Sequence, residues 1–343
     1  MKVAPLRSLG AGDLTVPNPW HLTARRLLCA AVLGLGLANA WAAPEQRGTE
    51  GDAAAGTGGG SSAQFCGTFK PQTAQQQDRV LQFAAVVRQA LQESGEQVAL
   101  ISRSGLNLSR FGLRYSHSGV LLAAEDDVPW SVRQLYYDCD VGRPRLFDQG
   151  LAGFLVSAET PDLAFVSIVF LPKSQADDLR RTARDRTRFA PLLAAQYSAN
   201  AYPFSVRYQN CNQWVAELLA TAWAPPYPGE PSSRALREGA QQWLRQTGYA
   251  PQPITVDSHL TKLVASFIPL VHLDDHPEET RLGMQFQTSL PTDIERWVQA
   301  QAPGARRLEF CHDADHIVVR QGWQPMGDAC SAQAGDRVQR FAR

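Results

Sequence analysis

Gln209-Asn210-Cys211-Asn212-Gln213-Trp214-Val215-Ala216-Glu217-Leu218-Leu219 is the stretch on which the reading of this chain turns. Trp214, Val215, Leu218 and Leu219 recur at helical spacing and form one apolar face, and Pro225-Pro226-Tyr227-Pro228-Gly229 stops the run. Cys211 therefore stands in the first turn of a helix. Unpaired backbone N–H groups and the positive end of the macrodipole point at such a sulfur, and both favour the thiolate, a nucleophile.

About a hundred residues upstream, Tyr115-Ser116-His117-Ser118-Gly119-Val120-Leu121-Leu122 puts a histidine at the start of an apolar run that reads as a central strand. Cysteine hydrolases need a thiolate, an imidazole within hydrogen-bond reach and a third polar group that orients the ring. Cys211 and His117 supply the first two types, and the helix start adds N–H donors for an oxyanion. Gln134, on the strand expected over residues 130–137, is the candidate third group. A slip of one residue in that strand would exchange it for Arg133. Asn210 and Tyr208 flank the cysteine as candidates for substrate contact, although core packing is the plainer account of the aromatics Tyr197, Tyr202, Tyr208 and Trp214.

Outward from these motifs, apolar spacing predicts a helix over 73–94 with Gly95 as its stop. It predicts strands over 98–102, 117–123 and 163–171 and helices over 174–188 and 189–197. Past the cysteine helix it predicts helices over 233–246, 257–267 and 292–301, and a hairpin near 307–320.

The whole chain holds 343 residues with 33 basic and 33 acidic side chains, so no net charge draws it to a phosphate backbone and no nucleic-acid partner is expected. Arg25-Arg26, an apolar run over 27–37 and small residues to Ala42 read as a secretory signal behind a long leader, residues 1–42. That run is too short to span a bilayer comfortably, so no stable membrane span is expected. Residues 43–63 are Gly/Ser/Ala-rich and read as a flexible linker. Folded sequence then divides into 64–230 and a C-terminal extension or subdomain, 231–343.

Export makes disulfides the expected state of most cysteines. The simplest pairing joins Cys311 to Cys330, and Cys66 to Cys139, which leaves Cys211 as the free thiol; four cysteines allow three connectivities. His272-Leu273-Asp274-Asp275-His276 and Cys311-His312-Asp313-Ala314-Asp315-His316 carry metal-ligand residue types, but neither has a zinc-site spacing. No metal and no cofactor are expected.

Three segments in this order, Ala99-Leu100-Ile101-Ser102-Arg103-Ser104-Gly105, Tyr115 to Val120 and Tyr208 to Val215, resemble the circularly permuted NlpC-type, papain-like group, which includes YiiX-like and lecithin:retinol acyltransferase-like proteins. More narrowly, the chain is similar to a bacterial exported family of unknown function. The broad resemblance covers residues 65–223. It implies an α+β fold, a permuted papain-like antiparallel sheet packed with helices and followed by a helical extension ending in a hairpin. It also implies Cys211 as nucleophile and His117 as base, acting on an amide such as a cell-wall peptide in the bacterial periplasm. Asn212-Gln213 departs from the small residues often found after the cysteine. Two other functions remain open: a lipid acyltransferase, and a catalytically inactive binding or assembly module of the cell envelope.

Overall fold

The computed structural model describes residues 72–342 apart from 107, 125–129, 157–161, 227, 228, 230 and 257–269. All of these belong to one compact unit, Gly56–Arg343. The expected signal segment, the linker and the helix expected over 257–267 lie outside the described residues.

In chain order the elements are α1 (Ala74–Ser94), β1 (Val98–Arg103), β2 (His117–Leu122), β3 (Ser131–Asp138), β4 (Arg143–Gly150), α2 (Leu151–Val156) and β5 (Ala164–Phe170). They continue as α3 (Lys173–Arg184), α4 (Arg186–Phe189), α5 (Cys211–Trp223), α6 (Ser233–Gln246), β6 (Ile254–Thr255), α7 (Glu278–Gly283), β7 (Gln285–Phe286) and α8 (Pro291–Gln301). The C-terminal strands are β8 (Arg306–His312), β9 (His316–Gln321) and β10 (Arg337–Arg340). The fold is α+β: one antiparallel sheet in the order β10-β9-β8-β5-β1-β2-β3-β4, with helices on both faces and a short β6–β7 pair outside it.

Local chemistry accounts for the element ends. Thr73 accepts from Gln76 N while the Gln76 side chain accepts from Thr73 N, a capping box that satisfies two donors at the start of α1; Gly95, at φ 68°, closes the helix in the left-handed region. Every residue of β1, β2 and β5 is buried, because each strand is covered on both faces. Their alternation divides the core in two. Val98, Leu100, Val120, Leu122, Leu135 and Val169 pack with α3, α5, α6 and α8. Ala99, Ile101, Leu121, Val132, Ile168 and Phe170 pack with α1 and α2 on the other face.

Three features depart from the expected pattern. The strand β4 and helix α2 were not anticipated, because β4 is a largely exposed edge strand, and its polar sequence with Pro144 is what an edge tolerates. Residues 189–197 do not form one helix. The Asp185 carboxylate caps the four-residue α4, a 3₁₀ turn follows at Ala190–Leu192, and the loop beyond it is held by Gln209, which accepts from Ala194 N and donates to Leu192 O. The C-terminal hairpin is real but not isolated, since β8 pairs with β5 along its whole length and enlarges the sheet to eight strands.

Cys311 and Cys330 are disulfide-bonded, as their spacing suggested, while Cys211 is a buried free thiol. Cys139 is also disulfide-bonded. Its expected partner, Cys66, lies outside the described residues. Among the described residues no helix is long and apolar enough to cross a membrane.

Candidate functional site

The entry to α5 is built from buried amides. Asn210 Oδ1 accepts from Gln213 N at 2.8 Å, the N-cap bond, while its Nδ2 donates to Ala199 O and Thr288 Oγ1. Asn212 reaches sideways: its Nδ2 donates to Ser116 O and Ser289 O, and its Oδ1 accepts from Ser118 Oγ at 2.8 Å. These bonds fasten the first turn of α5 to the start of β2. One turn on, the fully buried Glu217 carboxylate accepts from Gln209, Gln213, Gln241 and, through two nitrogens, Arg237. Arg237 also donates to Val206 O and Tyr208 O, so the same ion pair holds the loop that delivers Cys211.

The sulfur of Cys211 sits against β2 near the backbone N–H of Ser118. That donor is open because the β2–β3 ladder starts only at the Val120–Arg133 pair. Burial pushes the thiol up to about 11, against the opposing pull of the Ser118 and Asn212 N–H groups and of the Arg103 cation. Near neutral pH the group is a thiol.

The structure joins His117 to Gln134: ring Nε2 and Gln134 Oε1 are 2.7 Å apart, and Gln134 Nε2 donates to Gln149 Oε1. Because Gln134 presents its oxygen, the ring carries its proton on Nε2. His117 stacks on Tyr136 at 4.5 Å between centroids, and Phe154 of α2 lies 5.8 Å away. Arg103, its partner across the β1–β2 ladder, donates to the Tyr136 hydroxyl. Burial, followed by the Arg103 charge, lowers the imidazole to about 3, outweighing the Gln134 bond, so the ring is neutral across the physiological range.

Cys211 and His117 reach the same end of β2, the sulfur by the Ser118 N–H and the ring Nε2 bonded to Gln134. Side chains alternate along β2, so His117 shares the face of Leu121 and meets Phe154, both in the core against α1 and α2. Ser118 shares the opposite face with Val120, where Cys211 packs. No hydrogen bond joins sulfur and ring. The helix start and the histidine strand thus lie next to each other, but the residue that β2 turns toward α5 is Ser118.

Tyr208 stacks its ring on His272 at 4.5 Å and sets its hydroxyl 3.4 Å from Asp274. Asn210 spends its amide on the cap and on Ala199 and Thr288. Ser118, Asn212 and Tyr136 escaped the sequence reading; alternation along the strand was the only signal for Ser118.

Comparison with known proteins adds the following. No curated protein and no solved structure matches the chain. The profile of a family described as an uncharacterized protein conserved in bacteria (DUF2145) matches residues 90–298, more than half of the chain, and the chain belongs to that family.

Proposed function

We propose that this chain is an exported binding module of the bacterial cell envelope, on a scaffold similar to the permuted papain-like group, in which Cys211 and His117 do not act as a dyad. The observation that carries the reading is that no hydrogen bond joins the two side chains: the ring Nε2 is engaged by Gln134, and the sulfur lies by the Ser118 N–H and Asn212 Oδ1. Proton transfer needs heavy atoms within about 3 Å, directly or through one water. Burial favours the neutral thiol and the neutral ring, which agrees with this reading. Export is supported by the Cys311–Cys330 disulfide, which persists in an oxidising compartment.

Alkylation by iodoacetamide tests the reading. With the thiol at about 11, roughly one sulfur in ten thousand is thiolate at pH 7, against ~3% for a free cysteine. Labelling is therefore slow, climbs about tenfold per pH unit up to pH ~10, and changes less than about twofold in His117→Ala. Fast labelling at pH 7 that His117→Ala slows would overturn the proposal.

A second reading, the thiol hydrolase, draws on the His117–Gln134 bond, which is the ring-orienting contact that such chemistry requires. It predicts an acyl adduct on Cys211 after incubation with cell-wall fragments or phospholipid, detected by mass spectrometry and missing in Cys211→Ser.

A further inference from the structure

The large sheet ends in two edges, β4 and β10. What each edge offers follows from the phase of the hydrogen-bond ladders. Ala123 N donates to Gln97 O one step past the β1–β2 ladder, and Ser104 N to Phe165 O one step past the β1–β5 ladder, so odd-numbered residues of β1 bond to β2 and even-numbered ones to β5. The alternation carries across β2 and β3 without a slip. Arg143, Arg145, Phe147 and Gln149 therefore spend their backbone groups on β3, while the N–H and C=O groups of Leu146, Asp148 and Gly150 point away from the sheet. Pro144, which has no N–H to leave unpaired, falls in the same outward set. Among the described residues no hydrogen bond reaches these outward groups.

Edges are commonly guarded by charge. β10 is guarded so: all its residues are exposed, and Arg337 and Arg340 carry no ion pair among the described residues. On β4 only Arg143, at the hairpin end, stands in that way. The other charges are turned inward onto β3, Arg145 Nη1 to Asp138 at 2.9 Å and Asp148 to Arg133 Nε and Nη2 at 2.7 and 2.6 Å. Beside the open backbone groups, Phe147 is 37% exposed.

We infer that β4 is the interface of a two-fold symmetric dimer, in which it pairs antiparallel with β4 of a second copy and the sheet runs on through both. Phe147 meets the partner's Phe147 on the axis, and Leu146 lies opposite the partner's Asp148. In this register Leu146 and Asp148 exchange both backbone bonds across the interface, and Gly150 N–H reaches the partner's Pro144 O. The phenyl rings form the close, non-hydrogen-bonded kind of cross-strand pair, and Arg145 falls opposite the partner's Gln149. A shift one way would set Asp148 against the partner's Asp148; a shift the other way would lose the phenyl pair. The interface is isologous, and a single pair of edge strands buries less than a standard one, so the dimer is weak. The inference goes beyond the binding-module reading and does not depend on it.

Sedimentation equilibrium of the full chain tests it: the mass rises from one copy to two between about 1 µM and about 1 mM, the range of a small interface. Phe147→Lys and Phe147→Glu each put two like charges on the axis and each keep the single-copy mass. An equimolar mixture of the two variants recovers the double mass, a result that loss of folding cannot give. Under oxidation Phe147→Cys forms an interchain disulfide, because opposed residues of a non-hydrogen-bonded pair lie ~4.5 Å apart at Cα, and Arg145→Cys forms one about tenfold more slowly or not at all. A single-copy mass throughout that range, a dimer that survives Phe147→Lys, a mixture no heavier than its parts, or Arg145→Cys linking as fast as Phe147→Cys would overturn the interface. No variant here changes Cys211, so the alkylation experiment reports on the binding-module reading separately.

Discussion

Replacing Arg237 by alanine should destabilise the protein more than any exposed substitution, and the size of the loss follows from what is left behind. Glu217 is 0% exposed and Arg237 2% exposed, so the carboxylate would remain in the core with three neutral amide donors and no countercharge. The carbonyls of Val206 and Tyr208 would lose their bonds of 2.7 and 3.0 Å at the same stroke. Removing one partner of a buried pair costs about 3–5 kcal/mol, out of a total folding free energy of order 5–15 kcal/mol. Urea unfolding followed by tryptophan fluorescence reads the loss as a lower midpoint. Glu217→Leu combined with Arg237→Met should return stability to within about 1 kcal/mol of wild type, since an apolar pair of similar volume needs no compensation. Because Arg237 holds the loop that leads into α5, Arg237→Ala should also expose Cys211 and raise its alkylation rate. A loss below about 1 kcal/mol for Arg237→Ala would refute the assignment of Glu217–Arg237 as the pair that holds this loop.

Other expectations follow from particular contacts. His117, lowered to about 3 in the fold, stays neutral while the unfolded chain takes up a proton below pH ~6.5, so its contribution is full above that pH and is lost as pH falls towards 3, at a limiting slope of roughly 1.4 kcal/mol per unit. His117→Gln should flatten this limb of the stability–pH curve. An alanine Cβ at Gly119 would stand 2.6 Å from Val132 Cγ1 and 3.0 Å from the Arg133 carbonyl, so Gly119→Ala should cost about 1–3 kcal/mol in urea unfolding through overpacking. Replacing both Cys311 and Cys330 by alanine opens a bridge with sequence separation 19 and should lower stability by about 3 kcal/mol. Faster amide hydrogen exchange over residues 323–328, just ahead of Cys330, should accompany it.

Much of the scaffold was legible in one dimension. The helix over 73–94 and the helix opened by Cys211 follow from apolar spacing with a stop residue. The strands at 98–102, 117–123 and 163–171 follow from short apolar runs, and the Cys311–Cys330 bridge from its place around a hairpin. The edge strand β4 was not legible, because a strand with one free edge and little buried surface carries hardly any apolar pattern. The helix expected over 189–197 failed for a different reason. Its apolar residues suit a helix, but Gln209, distant in sequence, holds that backbone in another course.

Periodicity and chemistry along the chain determined that Cys211 heads a helix and that His117 opens a strand. These are local facts, governed by residues within a turn or two. Which side of that strand α5 would cover was a tertiary decision. It depended on how Val120, Leu122 and Leu135 pack against Trp214 and Val215, and it put the Ser118 hydroxyl on Asn212 in the first turn of α5. The same holds for the buried ion pair of Glu295 and Arg307, which come from a helix and a strand whose meeting no spacing announces. Burial then assigned their chemistry, because the cost of isolating a charge from water is set by everything folded around it.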